Sequence, residues 1–316
     1  MSVLITGATG LIGQAITQKL REQNIAVHYL TTRKGKIKKE EGFKGFHWDP
    51  KKGEIDMHCF EGVTAVINLA GSSISQRWTK TNKKKILRSR LDSLQTLRKG
   101  IENLKVSSIK SFVSASAIGI YPNSLDRYYT EDITDVDSSF LGEVVSKWEE
   151  EISLFNNLKF SVAAIRIGLV LSQEGGALPA MAKPIKYYVG AAFGSGEQWQ
   201  SWIHIEDLAR QFLFVIDQEL QGVFNGVAPN PVTNTKLTKE IAVVLNRPLI
   251  LPNIPRGVMQ LVLGDMSYVL FASQRVSSKK IEEEGFEFYH KNICNALESI
   301  FHKAQEPSDA ILKEFV

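Results

Sequence analysis

The sequence predicts an α/β fold: a Rossmann-type doubly wound parallel sheet with a smaller, mainly helical C-terminal lobe. Two observations carry that expectation. Short β-branched runs alternate with amphipathic stretches, and the glycines of GATGLIG follow the first such run at once. Near-continuously apolar strands separated by helices belong to a sheet covered on both faces.

VLIT (3–6) is the first strand, and Ile12, Ile16 and Leu20 recur behind it at helical spacing. AVHYL (26–30) and VTAVINLAG (63–71) are the next strands. A basic helix follows, with Ile86, Leu91, Leu94, Leu97, Ile101 and Leu104 on one face. Then come the strand IKSFVSASA (109–117), the helix EVVSKWEEEISLF (143–155) and a strand SVAAIRIGLVL (161–171). A Gly-, Pro- and aromatic-rich stretch, about 172–197, reads as irregular chain around a pocket. SWIHIEDLARQFLFVID resumes the strand-to-helix pattern, and helices are expected near 236–246, 256–272 and 292–303. The expected division is a nucleotide-binding domain over 1–230 and a substrate-side lobe over 231–316.

With 43% hydrophobic and 23% charged residues, the composition is that of a folded globular protein. A formal charge of +4 does not point to nucleic acid, although it leaves room for an anionic small molecule in a basic cleft. Cys59 and Cys294 are isolated thiols, and the six histidines show no paired metal-ligand spacing, so no metal is expected. No apolar run approaches the ~18 residues of a membrane span, and MSVLITG enters a strand with no leader pattern. The expected setting is therefore cytoplasmic, with neither membrane nor nucleic acid as partner.

GATGLIG places Gly7, Gly10 and Gly13, with Thr9, Leu11 and Ile12, between a strand and a helix. Such a turn lets backbone approach a pyrophosphate while helix N-terminal amides face its charge. The second strand ends in HYLTTRK. An acid near this point would meet a free ribose hydroxyl, whereas arginine suits a 2′-phosphate. No acid occurs between Val27 and Lys39, while Thr32 and Arg33 offer a donor and a charge. The expected cofactor is therefore NADP(H).

TGATGLIG, INLAG, SASAIGIY and SWIHIED together resemble the extended short-chain dehydrogenase/reductase superfamily, in its epimerase/dehydratase branch. HWDP, NLAGSSISQRWTK, the Ser89-Arg90 pair, SKWE, RIGLVLSQEGGALP, GSGEQWQSWIHIEDL and NGVAPNPVTN are similar to an atypical epimerase-like family with a distinctive C-terminal domain of unknown function. The resemblance implies an NADP-type cofactor on a Rossmann domain and brings no substrate. It also implies that Ala70 and Gly71 pass close to the cofactor ribose. Ser116, with Ser114 as the alternative, would orient a reacting oxygen, and Lys147 would reach the nicotinamide ribose.

The chain departs from the superfamily at the Tyr-x-x-x-Lys pair, where Glu143 precedes Lys147. Three readings stay open. Glu143 can itself act as acid or base; Tyr121 can supply the phenol; or the cleft holds NADP and catalyses nothing. A plain surface i,i+4 ion pair, worth ~0.3–0.5 kcal/mol, is the competing structural account. Arg77, and to a lesser degree Arg90, is a candidate for an anionic substrate group. His204 reads as structural, Asp207 as a helix cap, and Gln198, Trp199 and Trp202 as the pocket mouth. The sequence thus points to an NADP-dependent oxidoreductase or nucleotide-sugar-epimerase-like enzyme acting on a small polar molecule. The alternative is a non-catalytic NADP-binding redox sensor or regulator.

Overall fold

The computed structural model describes residues 2–302. The parallel strands are β1 (Ser2–Thr6), β2 (Ala26–Thr31), β3 (Phe43–Asp49), β4 (Val63–Asn68), β5 (Ser111–Ala117), β6 (Ser161–Ile167) and β7 (Gly222–Gly226). They lie in the order β3-β2-β1-β4-β5-β6-β7, with short antiparallel fringes at Lys39–Glu40 and Glu54–Ile55. The order reverses between β1 and β4, the point where open α/β sheets bind ligands.

The helices of this unit are α1 (Leu11–Glu22), α2 (Lys80–Glu102), α3 (Phe140–Ser153) and, later in the chain, α5 (Ile205–Asp217). α1 packs on α5 and α2 packs on α3, each pair covering one face of the sheet. Val3, Leu4 and Ile5 on β1, Val66 and Ile67 on β4, and Phe112 and Val113 on β5 are fully buried between the layers. Phe112 stacks on Phe155, with ring centroids 4.0 Å apart.

Several expectations need correction. β3 was not anticipated: FKGFHWD mixes polar and apolar positions because it lies toward the sheet edge, where one side is only partly covered. The run 161–171 is not one strand. It breaks at Gly168, and Leu169–Leu171 leaves the sheet to pair in parallel with Trp202–His204. The stretch 172–197 is not all irregular, since it contains α4 (Ala177–Lys186). Leu178, Ala182 and Ile185 give that helix a buried stripe at i, i+4 and i+7, and this outweighs Pro184 in its last turn.

The remaining helices are α6 (Asn234–Val244), α7 (Arg256–Leu263), α8 (Tyr268–Phe271), α9 (Lys279–Glu283) and α10 (Ile293–His302). The single helix expected over 256–272 is interrupted by a 3-10 turn at Gly264–Ser267. α4, α6 and α10 surround a second core with Leu171, Leu178, Trp202, Leu237, Ile241, Leu297 and Ile300. That core draws on chain from both sides of α5, because the pocket segment packs with the C-terminal helices. Among the described residues, no helix is long and apolar enough to cross a membrane.

Asp207, fully buried in the first turn of α5, ties this second unit to the sheet domain. Its carboxylate accepts from the Tyr289 and His290 backbone N–H groups, from His290 Nδ1 and from Arg210 Nη1. It does not cap the helix as expected; His204 does, its Nδ1 accepting from Glu206 N at 3.1 Å. Burial alone would raise the Asp207 carboxyl, but the His290 and backbone hydrogen bonds outweigh it and hold the group below its ordinary range. A depressed folded-state value stabilises above the unfolded value near 4 and is lost as pH falls through the folded one. Urea titrations from pH 6 to pH 3 are therefore expected to show the stability gap between wild type and Asp207→Asn closing below about pH 4. A gap that stays constant would remove Asp207 from the acid response.

Candidate functional site

The cleft is built where β1, β4 and β5 end. Gly7 has φ +72°, and a Cβ on Gly13 would fall 2.3 Å from Gly7 O, so the turn closes only with glycines there. Gly10 is the N-cap of α1 and makes no side-chain cap, and the first turn carries no acid. The amides at the start of α1 thus remain available to an anion. Beneath this turn, Thr6 Oγ1 donates to Asn68 Oδ1 at 2.8 Å and accepts from the N–H groups of Leu69 and Ala70. Asn68 accepts from Ser93 and donates to Ser114 Oγ at 3.0 Å. This buried network fixes the loop Leu69–Gly71 against Gly7 and engages Ser114 Oγ, which accepts from Asn68 and donates to Ala115 O.

At the end of β2, Thr32 and Arg33 are exposed, and Arg33 N donates to Thr31 Oγ1 at 3.2 Å. Lys34 and Lys36 follow in an exposed 3-10 turn. The arginine therefore stands on the cleft's outer rim with no acid beside it in sequence.

Ser116 is buried at the end of β5 and donates to Glu149 Oε1 at 2.5 Å. Arg166 grips the same carboxylate with two hydrogen bonds, Nε to Oε1 at 2.9 Å and Nη2 to Oε2 at 2.8 Å. Its Nη1 donates to Tyr121 Oη at 2.9 Å, and Tyr121 Oη donates to Asn225 Oδ1 at 2.8 Å. Burial alone would lower the Arg166 guanidinium; the bonds and charge of Glu149 outweigh it and raise it. Tyr121 is fully buried, and burial pushes its phenol up to about 12. The structure thus corrects the expectation that Tyr121 can supply a mobile phenol: ring and hydroxyl are both fixed in the interior.

The phase of α3 corrects the expectation for Glu143 and Lys147. Ser139 caps this helix, and its buried face carries Val144, Val145, Trp148 and Ile152. Leu141, Val145 and Glu149 form the row that faces β5 and the chain just after it: Glu149 meets Ser116, Val145 packs with Ile120 and Tyr121, and Leu141 lies beside Gly119. Glu143 and Lys147 stand roughly 200° around the helix from Val145, at 100° per residue. They pair with each other at 2.7 Å on the exposed face, Nζ donating to Glu143 Oε1. The positions one and two turns beyond Glu149 toward the ligand end are thus apolar. Glu149, which meets Ser116, and Arg166, which holds Glu149, were missed by motif reading. The signal was present in the apolar spacing 141, 144, 145, 148, 152, which fixes the inward face.

Arg77 is exposed in the loop before α2, while neighbouring Trp78 is a buried anchor with its ring edge-on to Phe140. Trp202 is core rather than pocket mouth, its Nε1 donating to Asn230 O. Gln198 is also buried and donates to Phe193 O and Leu270 O. Trp199 is half-buried under Arg275. His204, Glu206 and His290 bring possible ligand atoms within 4.8 Å of one another. The His204 Nδ1 that caps α5 puts that ring's proton on Nε2, and the ring stacks on His290 at 3.7 Å. This geometry serves capping and anchoring.

A family model described as the NAD dependent epimerase/dehydratase family matches residues 3–225, and a domain of unknown function, DUF1731, matches residues 254–300. An epimerase family protein of Staphylococcus aureus strain MRSA252 is 35% identical over 301 residues, which is 95% of this chain and 99% of its own. The crystal structure of human epimerase family protein SDR39U1 with NADPH superposes with a TM-score of 0.84 at 31% identity, over 96% of this chain and 99% of that one. The nucleoside-diphosphate sugar epimerase of Corynebacterium glutamicum superposes at 0.75 with 27% identity, over 97% of this chain and 61% of that one. On fold, cleft and sequence together, the chain belongs to the NAD dependent epimerase/dehydratase family.

Proposed function

We propose that this protein is an NADP(H)-dependent oxidoreductase, or a related epimerase-like enzyme, acting on a small hydroxylated and anionic molecule. The observation that carries the catalytic part is the Ser116–Glu149 hydrogen bond, backed by Arg166, at the end of β5. Bound in the cleft, a nicotinamide dinucleotide supplies the hydride donor or acceptor. Gly7, Thr9, Gly10 and the amides of Leu11, Ile12 and Gly13 would hold its pyrophosphate, and Ala70 and Gly71 would lie along its ribose. Because Ser116 gives its proton to Glu149, the serine oxygen meets a ligand hydroxyl as acceptor. It can take that hydroxyl's proton while passing its own to Glu149. Arg166 hydrogen-bonds both oxygens of that carboxylate and so fixes Glu149 against Ser116. The C. glutamicum relative puts nucleoside-diphosphate sugars among the first substrates to screen.

Thr32 and Arg33, with no acid nearby, support NADP(H) over NAD(H), as does the NADPH in the human relative. Arg33→Ala is expected to weaken NADPH binding about ten- to a hundredfold, the loss of a charge-assisted contact of ~1.5–3 kcal/mol, and to leave NADH binding unchanged. Calorimetric titration decides it, and equal wild-type affinities for the two cofactors would overturn the assignment.

The second reading, a non-catalytic NADP(H)-binding sensor or regulator, is favoured by one observation: Leu141 and Val145 occupy the α3 row above Ser116, and neither can carry a proton. Absence of NADPH turnover across a broad alcohol and carbonyl screen, with cofactor binding intact, would favour it.

A further inference from the structure

The short helix α7 carries an apolar stripe that faces water. Val258, Leu261 and Val262 recur at i, i+3 and i+4, the spacing that usually marks the core-facing side of a helix. Here they are 50%, 84% and 63% exposed, and α7 has no buried residue. Two strips of chain adjoin it. Ile254, just before α7, pairs with Phe193, its N–H donating to Ala192 O and its carbonyl accepting from Gly194 N. Further back, the Arg247 guanidinium lies 5.3 Å from the centre of the Tyr188 ring. Residues 187–194 and 247–254 thus run side by side. The first strip exposes Tyr187, Tyr188 and Val189, and the second exposes Ile250 and Leu251. Exposed apolar surface rimmed by charge marks a contact site.

The charge on this surface is of one sign. No Asp or Glu occurs over 175–196 or over 241–264. The acids that bound the second tract, Glu240 and Asp265, are paired with Lys236 and Lys83. Lys183 and Lys186 lie in the last turn of α4 ahead of the tyrosines, Arg247 precedes Ile250, and Arg256 opens α7. Among the described residues these four cations form no ion pair. In each tract a cation comes first, and aliphatic or tyrosine side chains follow. An acidic protein would meet the cations and leave the aliphatic stripe to find a separate pocket. An anionic bilayer supplies phosphates for the cations, an interface for the tyrosine rings and acyl chain for the stripe, all from one surface. We propose that α7 and the strips 187–189 and 250–251 form a docking face for an anionic phospholipid membrane. This goes beyond the function proposed above and does not depend on it. It revises the expectation of no membrane partner, which rested on the want of a spanning run; a peripheral contact needs none.

Co-sedimentation of the full chain with vesicles of mixed phosphatidylglycerol and phosphatidylcholine, against phosphatidylcholine alone, tests this. Wild type is expected to bind the anionic vesicles about tenfold more strongly or better, and to be released as salt screens the charges. Leu261→Glu/Val262→Glu is expected to weaken that binding about tenfold or more. Its urea midpoint should stay at the wild-type value, because both side chains already face water. Lys183→Glu/Lys186→Glu is expected to weaken vesicle binding by a similar factor from the cationic side. No binding by wild type, or undiminished binding in either double variant, overturns the proposal. Self-association of wild type without vesicle binding, abolished in Leu261→Glu/Val262→Glu, would give the face to a second copy of the chain. Binding of soluble dihexanoyl phosphatidylglycerol without binding of vesicles would make it a subsite for a single small ligand, and overturns the membrane contact equally.

Discussion

Arg166→Met is expected to destabilise the protein by about 3–5 kcal/mol, the usual cost of stranding one member of a buried ion pair. Both side chains are largely removed from water, at 8% exposure for Arg166 and 15% for Glu149. Methionine fills the volume but leaves the Glu149 carboxylate without its two-pronged donor and Tyr121 Oη without the Nη1 hydrogen bond. Removing both charges in Arg166→Met/Glu149→Met should cost much less than the two single changes added together, because no unpaired buried charge remains. Urea denaturation at neutral pH measures this as a shift in midpoint at constant slope. A loss below about 1 kcal/mol in the single variant would show that water reaches the pair.

Glu149→Gln should leave NADPH affinity within about twofold of wild type, since the carboxylate contacts Ser116 rather than the dinucleotide turn. Turnover of the first substrate found by NADPH absorbance should fall ~10²–10⁴-fold, the worth of a correctly placed proton-handling group. The amide can turn its NH2 toward Ser116, reversing the serine from acceptor to donor on its ligand side. The loss should therefore lie mainly in kcat, with a changed pH profile, whereas simple loosening of the core would raise KM and lower stability together. Glu143→Gln is the matched control. Its exposed pair with Lys147 predicts a stability change of ~0.3–0.5 kcal/mol and no change in turnover. A large turnover loss in Glu143→Gln with a normal Glu149→Gln enzyme would restore the pair that motif spacing alone suggests.

The cleft's floor was legible because it is local. A strand, three glycines and a helix within Ser2–Glu22 specify their own geometry, as does the acid-free end of β2. The Ser116 side of the cleft was legible only in outline. Ser116 stands out from its motif, but the spacing in EVVSK fixes no orientation, because i,i+4 spacing holds on every face of a helix. The apolar residues of α3 carried the missing phase information.

By itself the sequence determined the alternation of strand and helix, the dinucleotide turn and the family, since each rests on short-range order along the chain. Only the tertiary structure decided which polar groups meet. Arg166 reaches Glu149 across 17 residues, Tyr121 reaches Asn225 across 104, and Asp207 reaches His290 across 83. Those pairings arise because packing brings distant strands and helices together and takes their polar groups out of water. A buried charge then has to find its partner wherever the fold has placed one.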